Sequence, residues 1–177
     1  MSSSTASSSS AALPIAYVVL RILIVLNWLY GASILVLLVV MPNEQWIMSI
    51  FKLSPSPEVT RLVMGLRLVA VLVLVTVPFN YLVLRHLVAI VKTVRAADPF
   101  VAANADRLKS IAWALVVMNL LSIVMGVIGS SVAPPSYPVP LHVGFSINGW
   151  LAVLLTFVLA RVFAEGSLMR EDIAATV

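Results

Sequence analysis

Four stretches of about twenty predominantly apolar residues constrain this chain more than any other feature. They run from about Arg21 to Met41, Leu62 to Leu84, Ile111 to Val132 and Gly144 to Ala164. A hydrocarbon core about 30 Å thick takes roughly 20 residues of α-helix, so each stretch is long enough to cross a bilayer. Composition agrees. Hydrophobic residues make up 62% and charged residues 10% of the 177, against roughly 45–50% and 25% in soluble domains. A mean hydropathy of +1.10 leaves too little charge to solvate a water-soluble surface. The expected fold class is therefore all-α integral membrane, with four transmembrane helices.

Residues 1–12 begin as a serine run that buries too little apolar surface to order itself, so they read as a disordered tail. Residues 13–177 read as a single four-helix membrane domain. The tail has neither the basic stretch nor the cleavage signature of a signal peptide. The chain has no cysteine, which excludes disulfides, thiolate nucleophiles and thiol-oxidant chemistry.

Orientation is read from Lys and Arg beside the spans. The link between spans two and three holds Arg85, Lys92, Arg95, Arg107 and Lys109, while the link between spans three and four holds none. Lys52 and Arg61, in the first link, are offset by Glu44 and Glu58. Positive-inside then puts the middle link and both termini in the cytoplasm. The net charge of +4 does not point to direct nucleic-acid binding, because the basic residues sit where a membrane protein needs them. The lipid bilayer is the expected partner. The outer link 133–140, with four prolines, should be a stiff extended strap.

The second helix should outrun the membrane. From Leu62 to Ala97 nothing but Pro78 interrupts a helical pattern, and 36 residues span about 54 Å. Its projecting end carries a stripe of Leu84, Leu87, Val88, Val91 and Val94, with Arg85, Lys92 and Arg95 lying away from it. Asp98 and Pro99 then suit an N-cap and first helical position. The return segment carries Val101, Asn104, Leu108, Ile111 and Ala112 on one face. A cytosolic helical hairpin between spans two and three is expected, followed after span four by an amphipathic C-terminal helix. That helix places Val162, Gly166, Met169, Ile173 and Val177 on one face. Asn104, a polar residue on an apolar stripe, either bonds to turn carbonyls or a neighbouring helix, or meets a cytosolic partner. Arg107 and Lys109 suit anionic lipid head groups.

Inside the spans the polar residues are few. Asn27, Asn80, Asn119 and Asn148 occur once per span, and their ordinary role is interhelical hydrogen bonding. Arg67 lies close enough to the outer interface to extend its side chain there, with Glu44 or Glu58 as partners. No Asp or Glu sits mid-span, which argues against a proton-coupled carrier. Pro78 should kink span two, with Thr76 and Asn80 near the freed backbone groups. His86 and His142 fall at opposite interfaces and cannot share a metal or haem. No phosphate loop, nucleophile elbow or metal motif is present, so neither an enzyme nor a cofactor is expected. Gly126 and Gly129 permit close helix approach, and self-association stays open.

Two stretches resemble a known family. Asp98-Pro99-Phe100 followed by Asn104, Arg107, Leu108 and Ile111, with the ending Phe163, Gly166, Asp172 and Thr176-Val177, is similar to the bacterial four-span inner-membrane family of domain of unknown function 2975. The resemblance covers the chain from span one onward and excludes the serine-rich start. Many relatives carry an acidic residue where Ala174 stands. The resemblance supplies no catalytic residue. It implies a bacterial inner-membrane location and an association, since such proteins are often encoded beside a small Cro/CI-type helix-turn-helix regulator. The leading expectation is a non-enzymatic membrane anchor or sensor for such a regulator. Its binding residues would be Asp98, Pro99, Phe100, Asn104, Arg107, Leu108, Phe163, Gly166 and Asp172. The alternatives are a small-solute transporter or immunity-type protein using Arg67 and the span asparagines, and a structural subunit of a larger complex.

Overall fold

A computed structural model describes residues 6–40, 56–96, 98–132 and 145–175, with side chains over 13–39, 56–96, 98–132 and 145–170. Every regular element among them is an α-helix: α1 Ala6–Val40, α2 Pro57–Arg95, α3 Ala102–Val132 and α4 Ile147–Ala175. Each contains a stretch long and apolar enough to cross a membrane. This is the architecture of a multi-pass membrane protein.

Helix α2 spans 39 residues, about 58 Å at 1.5 Å per residue, and so outruns a hydrocarbon core of about 30 Å. It starts earlier than the apolar run suggests. Ser56 accepts a hydrogen bond from the Val59 amide, and Pro57 fills the first turn, where its missing N–H costs nothing. Helix α1 likewise begins at Ala6, so helical backbone covers much of the serine stretch. Serine is a mediocre helix former, but extending an established helix adds one hydrogen bond per residue without a new nucleus.

The principal packing runs α1 on α2, α2 on α3 and α3 on α4. Short links make sequence neighbours antiparallel, and side-chain pairs confirm it. On α1 and α2, Trp28 meets Tyr81 while Tyr17 meets Arg95. On α3 and α4, Trp113 meets the Phe157 ring edge-on, while Phe100, just before α3, meets Phe163. The apolar core holds Leu108, Ile111 and Ala160, with Val83, Leu87, Ile90, Leu115 and Phe163 against it. It lies toward the end where α2 turns into α3, here termed the turn end.

Lipid-facing surface is apolar too: Val39 is 67% exposed and Ile147 74%. In hydrocarbon, an exposed apolar side chain costs nothing, so packing depends on close approach rather than on hiding apolar surface. Glycines supply that approach. A Cβ on Gly65 would fall 2.6 Å from Val132 Cγ1, and one on Gly31 would fall 3.0 Å from Val77 Cγ1.

The expected stripe of the return segment matches its burial. Asn104, Leu108, Ile111 and Ala112 are all buried, and Arg85, Lys92 and Arg95 are exposed. Two expectations need correction. Pro99 is not the first residue of α3, which starts at Ala102. Residues 98–101 form an irregular turn, and Asp98 faces α4 instead of capping α3. The expected apolar face of α4 packs only at Gly166 among its described residues. Val162 and Met169 are 51% and 65% exposed, while Val153, Ala160 and Ser167 are buried. Small residues, more than bulky apolar ones, mark the packed face in a membrane helix. The strap 133–140, Glu44, His142 and the side chains of Asp172, Ile173 and Val177 lie outside the described residues.

Candidate functional site: the turn end of the bundle

The chain reverses here over a few residues, and backbone hydrogen bonds tie both sides of the reversal. The carbonyls of Lys92 and Thr93 accept from the Ala96 amide, each at 3.1 Å, and the Thr93 carbonyl also accepts from the Asp98 amide at 3.0 Å. These bonds close the last turn of α2 and absorb carbonyls that a helix end leaves unpaired. The Asn104 amide donates to the Val101 carbonyl at 2.8 Å, opening α3.

Asn104 sits at the centre, fully buried. Its Nδ2 donates to Thr93 Oγ1 at 2.7 Å and to the Pro99 carbonyl at 2.8 Å. Its Oδ1 accepts from the Arg107 guanidinium at 2.7 Å. Thr93 Oγ1 in turn donates to the Ile90 carbonyl at 2.7 Å. One amide thus ties α2, the turn and α3 together with both donors and its acceptor used. A buried amide with its bonds made contributes to a unique geometry, and a half-made one would be costly. Of the two roles open to Asn104 in the sequence, the turn-carbonyl and neighbouring-helix one describes its contacts, so it positions the turn from within.

Helix α4 closes over the turn from the third side. Arg170 donates to Asp98 in an ion pair that links the turn to the last turns of α4. The Phe100 and Phe163 rings lie 5.4 Å apart at 36°. Gly166 admits the Phe100 ring, whose Cδ1 would lie 2.9 Å from a Cβ at that position. Phe100 remains 44% exposed, so the turn presents an aromatic edge beside an ion pair. Of the residues singled out in the sequence, Asp98, Pro99, Phe100, Asn104, Arg107, Phe163 and Gly166 converge here, with Leu108 in the core beneath. Thr93 and Arg170 complete the arrangement. Neither was marked as a binding residue, although an acid in one link and a base at the far end of α4 are charges that could meet.

The intramembrane polar residues do not converge. Asn27 donates to the Val77 carbonyl at 3.1 Å, joining α1 to α2 just before Pro78. Asn119 donates to the Leu115 carbonyl of its own helix at 2.9 Å and lies against Gly149 on α4, where a Cβ would collide with its Oδ1. Asn148 is exposed at the start of α4, and Asn80 and Arg67 are half-buried on α2. Thr76 Oγ1 donates to the Val73 carbonyl at 2.7 Å, one turn before Pro78. The His86 ring turns back on its own helix, with Nδ1–H donating to the Leu82 carbonyl at 2.9 Å.

A second polar cluster lies at the same end, between α1 and α2. Arg21 and Arg95 both stand 5.5 Å from the centre of the Tyr17 ring, and Arg21 donates to the Tyr17 hydroxyl at 3.1 Å. In the sequence Arg21 stands only as the edge of a span, and Tyr17 carries no local signal.

Compared with known proteins, the chain matches the family model described as "Protein of unknown function (DUF2975)" over residues 43–177. No curated protein and no solved structure matches it significantly.

Proposed function

The chain belongs to the DUF2975 family, and on that premise we propose that it is a non-enzymatic membrane anchor or sensor whose turn end faces the cytosol and docks a protein partner there. Orientation rests on charge. Arg85, Lys92, Arg95, Arg107 and Lys109 flank the turn, and Arg21 and Arg170 stand beside them on α1 and α4. Cytoplasmic flanks of membrane helices are enriched in Lys and Arg, so this end is the inner one and both termini lie on its side. The membrane is the bacterial inner membrane that the family resemblance implies.

The observation that carries the reading is Asn104. A connecting turn needs no fully buried amide bonded to two helices and to its own backbone. A surface that must keep one shape for a partner does, because ordering it in advance removes an entropy cost from binding. The partner class is the one the resemblance implies, a small helix-turn-helix regulator, held through Phe100 and the charged rim of Asp98, Arg170 and Lys109.

The test is in-cell photocrosslinking from position 100. A small DNA-binding protein is expected, and its recovery should fall with Lys109→Glu, a surface change that leaves the fold intact. Crosslinks to lipid or to other copies of the chain alone would overturn the docking reading.

A further inference from the structure

Between α1 and α2, at the turn end, lies a cleft of about 300 Å³. Arg21 comes from α1, and Arg85 and Lys92 from positions two turns apart on α2. Ile24, Val88 and Tyr81 supply its apolar and aromatic walls, and no acidic residue among the described ones lines it. Arg95, on the same Tyr17 ring as Arg21, places a fourth cation nearby. The ion pairs found among the described residues, Arg161 with Glu165 and Arg170 with Asp98, lie on α4 and between α4 and the turn. Four like charges gathered at a membrane boundary repel one another more strongly than they would in bulk water. An anion seated among them would relieve that repulsion.

An apolar strip of the α1 surface adjoins the cleft and shares Arg21. It consists of Val18, Ile22, Val25 and Leu26, side chains that are 52–59% exposed. The cationic cleft therefore opens onto an apolar helix face. A soluble phosphate would use the cleft and leave the strip uncovered. A phospholipid matches both.

We propose that this cleft binds an anionic phospholipid, its phosphate among Arg21, Arg85 and Lys92 and an acyl chain along Val18, Ile22 and Leu26. Basic pockets between membrane helices recognise anionic head groups by this chemistry. The proposal goes beyond the docking reading and does not depend on it, since the cleft and Phe100 involve different helix pairs.

The test uses the full chain in nanodiscs of phosphatidylcholine, with and without phosphatidylglycerol, released into detergent for native mass spectrometry. The wild-type chain is expected to retain one phosphatidylglycerol in preference to phosphatidylcholine. Arg21→Gln combined with Lys92→Gln should lower that retention by roughly tenfold or more. Arg61→Gln combined with Arg161→Gln removes the same charge outside the cleft and should leave it unchanged. Arg21→Lys with Lys92→Arg guards against misfolding, because it keeps the charges and should keep the lipid. Equal losses in both Gln pairs, or no preference in the wild-type chain, would overturn the proposal. So would displacement of the lipid by millimolar inorganic phosphate, which would identify the cleft as a site for a soluble anion.

Discussion

The two ends of the helical array are held by different physics. At the turn end, α2, α3 and α4 are joined by hydrogen bonds through Asn104, an ion pair between Asp98 and Arg170, and an aromatic pair. Toward the other end, among the described residues, the helices approach most closely at glycines: Gly65 against Val132, and Gly149 against Asn119. The difference follows the medium. Lipid offers no hydrophobic drive between helices, so within the spans shape does the work through glycine. Where the helices leave the hydrocarbon, water competes for every polar group, and a fixed geometry needs a buried and fully bonded one. The turn end is thus specified group by group, and the glycine approaches by fit.

That contrast can be broken in order of expected effect. Asn104→Leu should cost most, about 3 kcal/mol, because it strands the Pro99 carbonyl and the Arg107 guanidinium. Unfolding followed by SDS titration in mild detergent measures it, and a loss below about 1 kcal/mol would show that water fills the site without penalty. Gly65→Ala comes next at about 2 kcal/mol, since overpacking typically costs 1–3 kcal/mol. The distinguishing result is rescue, in which Val132→Ala in the same chain should recover most of the loss. Asn27→Leu, which removes the bond to the Val77 carbonyl, should cost about 0.6 kcal/mol by the same titration. Asp98→Asn should be the mildest. Its ion pair is 39–56% exposed on the two side chains, and exposed pairs contribute about 0.2–1 kcal/mol, less at high salt. An effect that persists in molar salt would mean that the carboxylate has another role.

Legibility in the sequence divides along the same line. The four helices were plain, because an apolar run of span length has few other outcomes. The packed face of α3 was plain near the turn, where Asn104, Leu108, Ile111 and Ala112 stand out from polar neighbours such as Asp106 and Lys109. Within α4 it was not. Val162 and Met169 look as buriable as Val153, because a side chain facing lipid and one facing a helix are equally apolar. The turn itself was misread for a related reason. Asp98-Pro99 fits a helix start by local rules, yet Asp98 is drawn to Arg170, 72 positions away in sequence, and no local rule contains that pairing. The α1–α2 cleft is not legible in the sequence, because Arg21 marks a span edge while Arg85 and Lys92 fall on the projecting end of α2, and their convergence exists only once α1 lies antiparallel to α2.

The central claim is that the ordered, basic turn end faces the cytosol. The chain has no cysteine, so single replacements can be labelled without background. Lys109→Cys beside the turn and Arg61→Cys near the start of α2 should be treated in intact cells with a membrane-impermeant maleimide, then again after permeabilisation. The account predicts that Arg61→Cys labels in intact cells and that Lys109→Cys labels only once the membrane is opened. Labelling of Lys109→Cys in intact cells would contradict it, placing the Asn104-centred surface outside and removing any cytosolic partner.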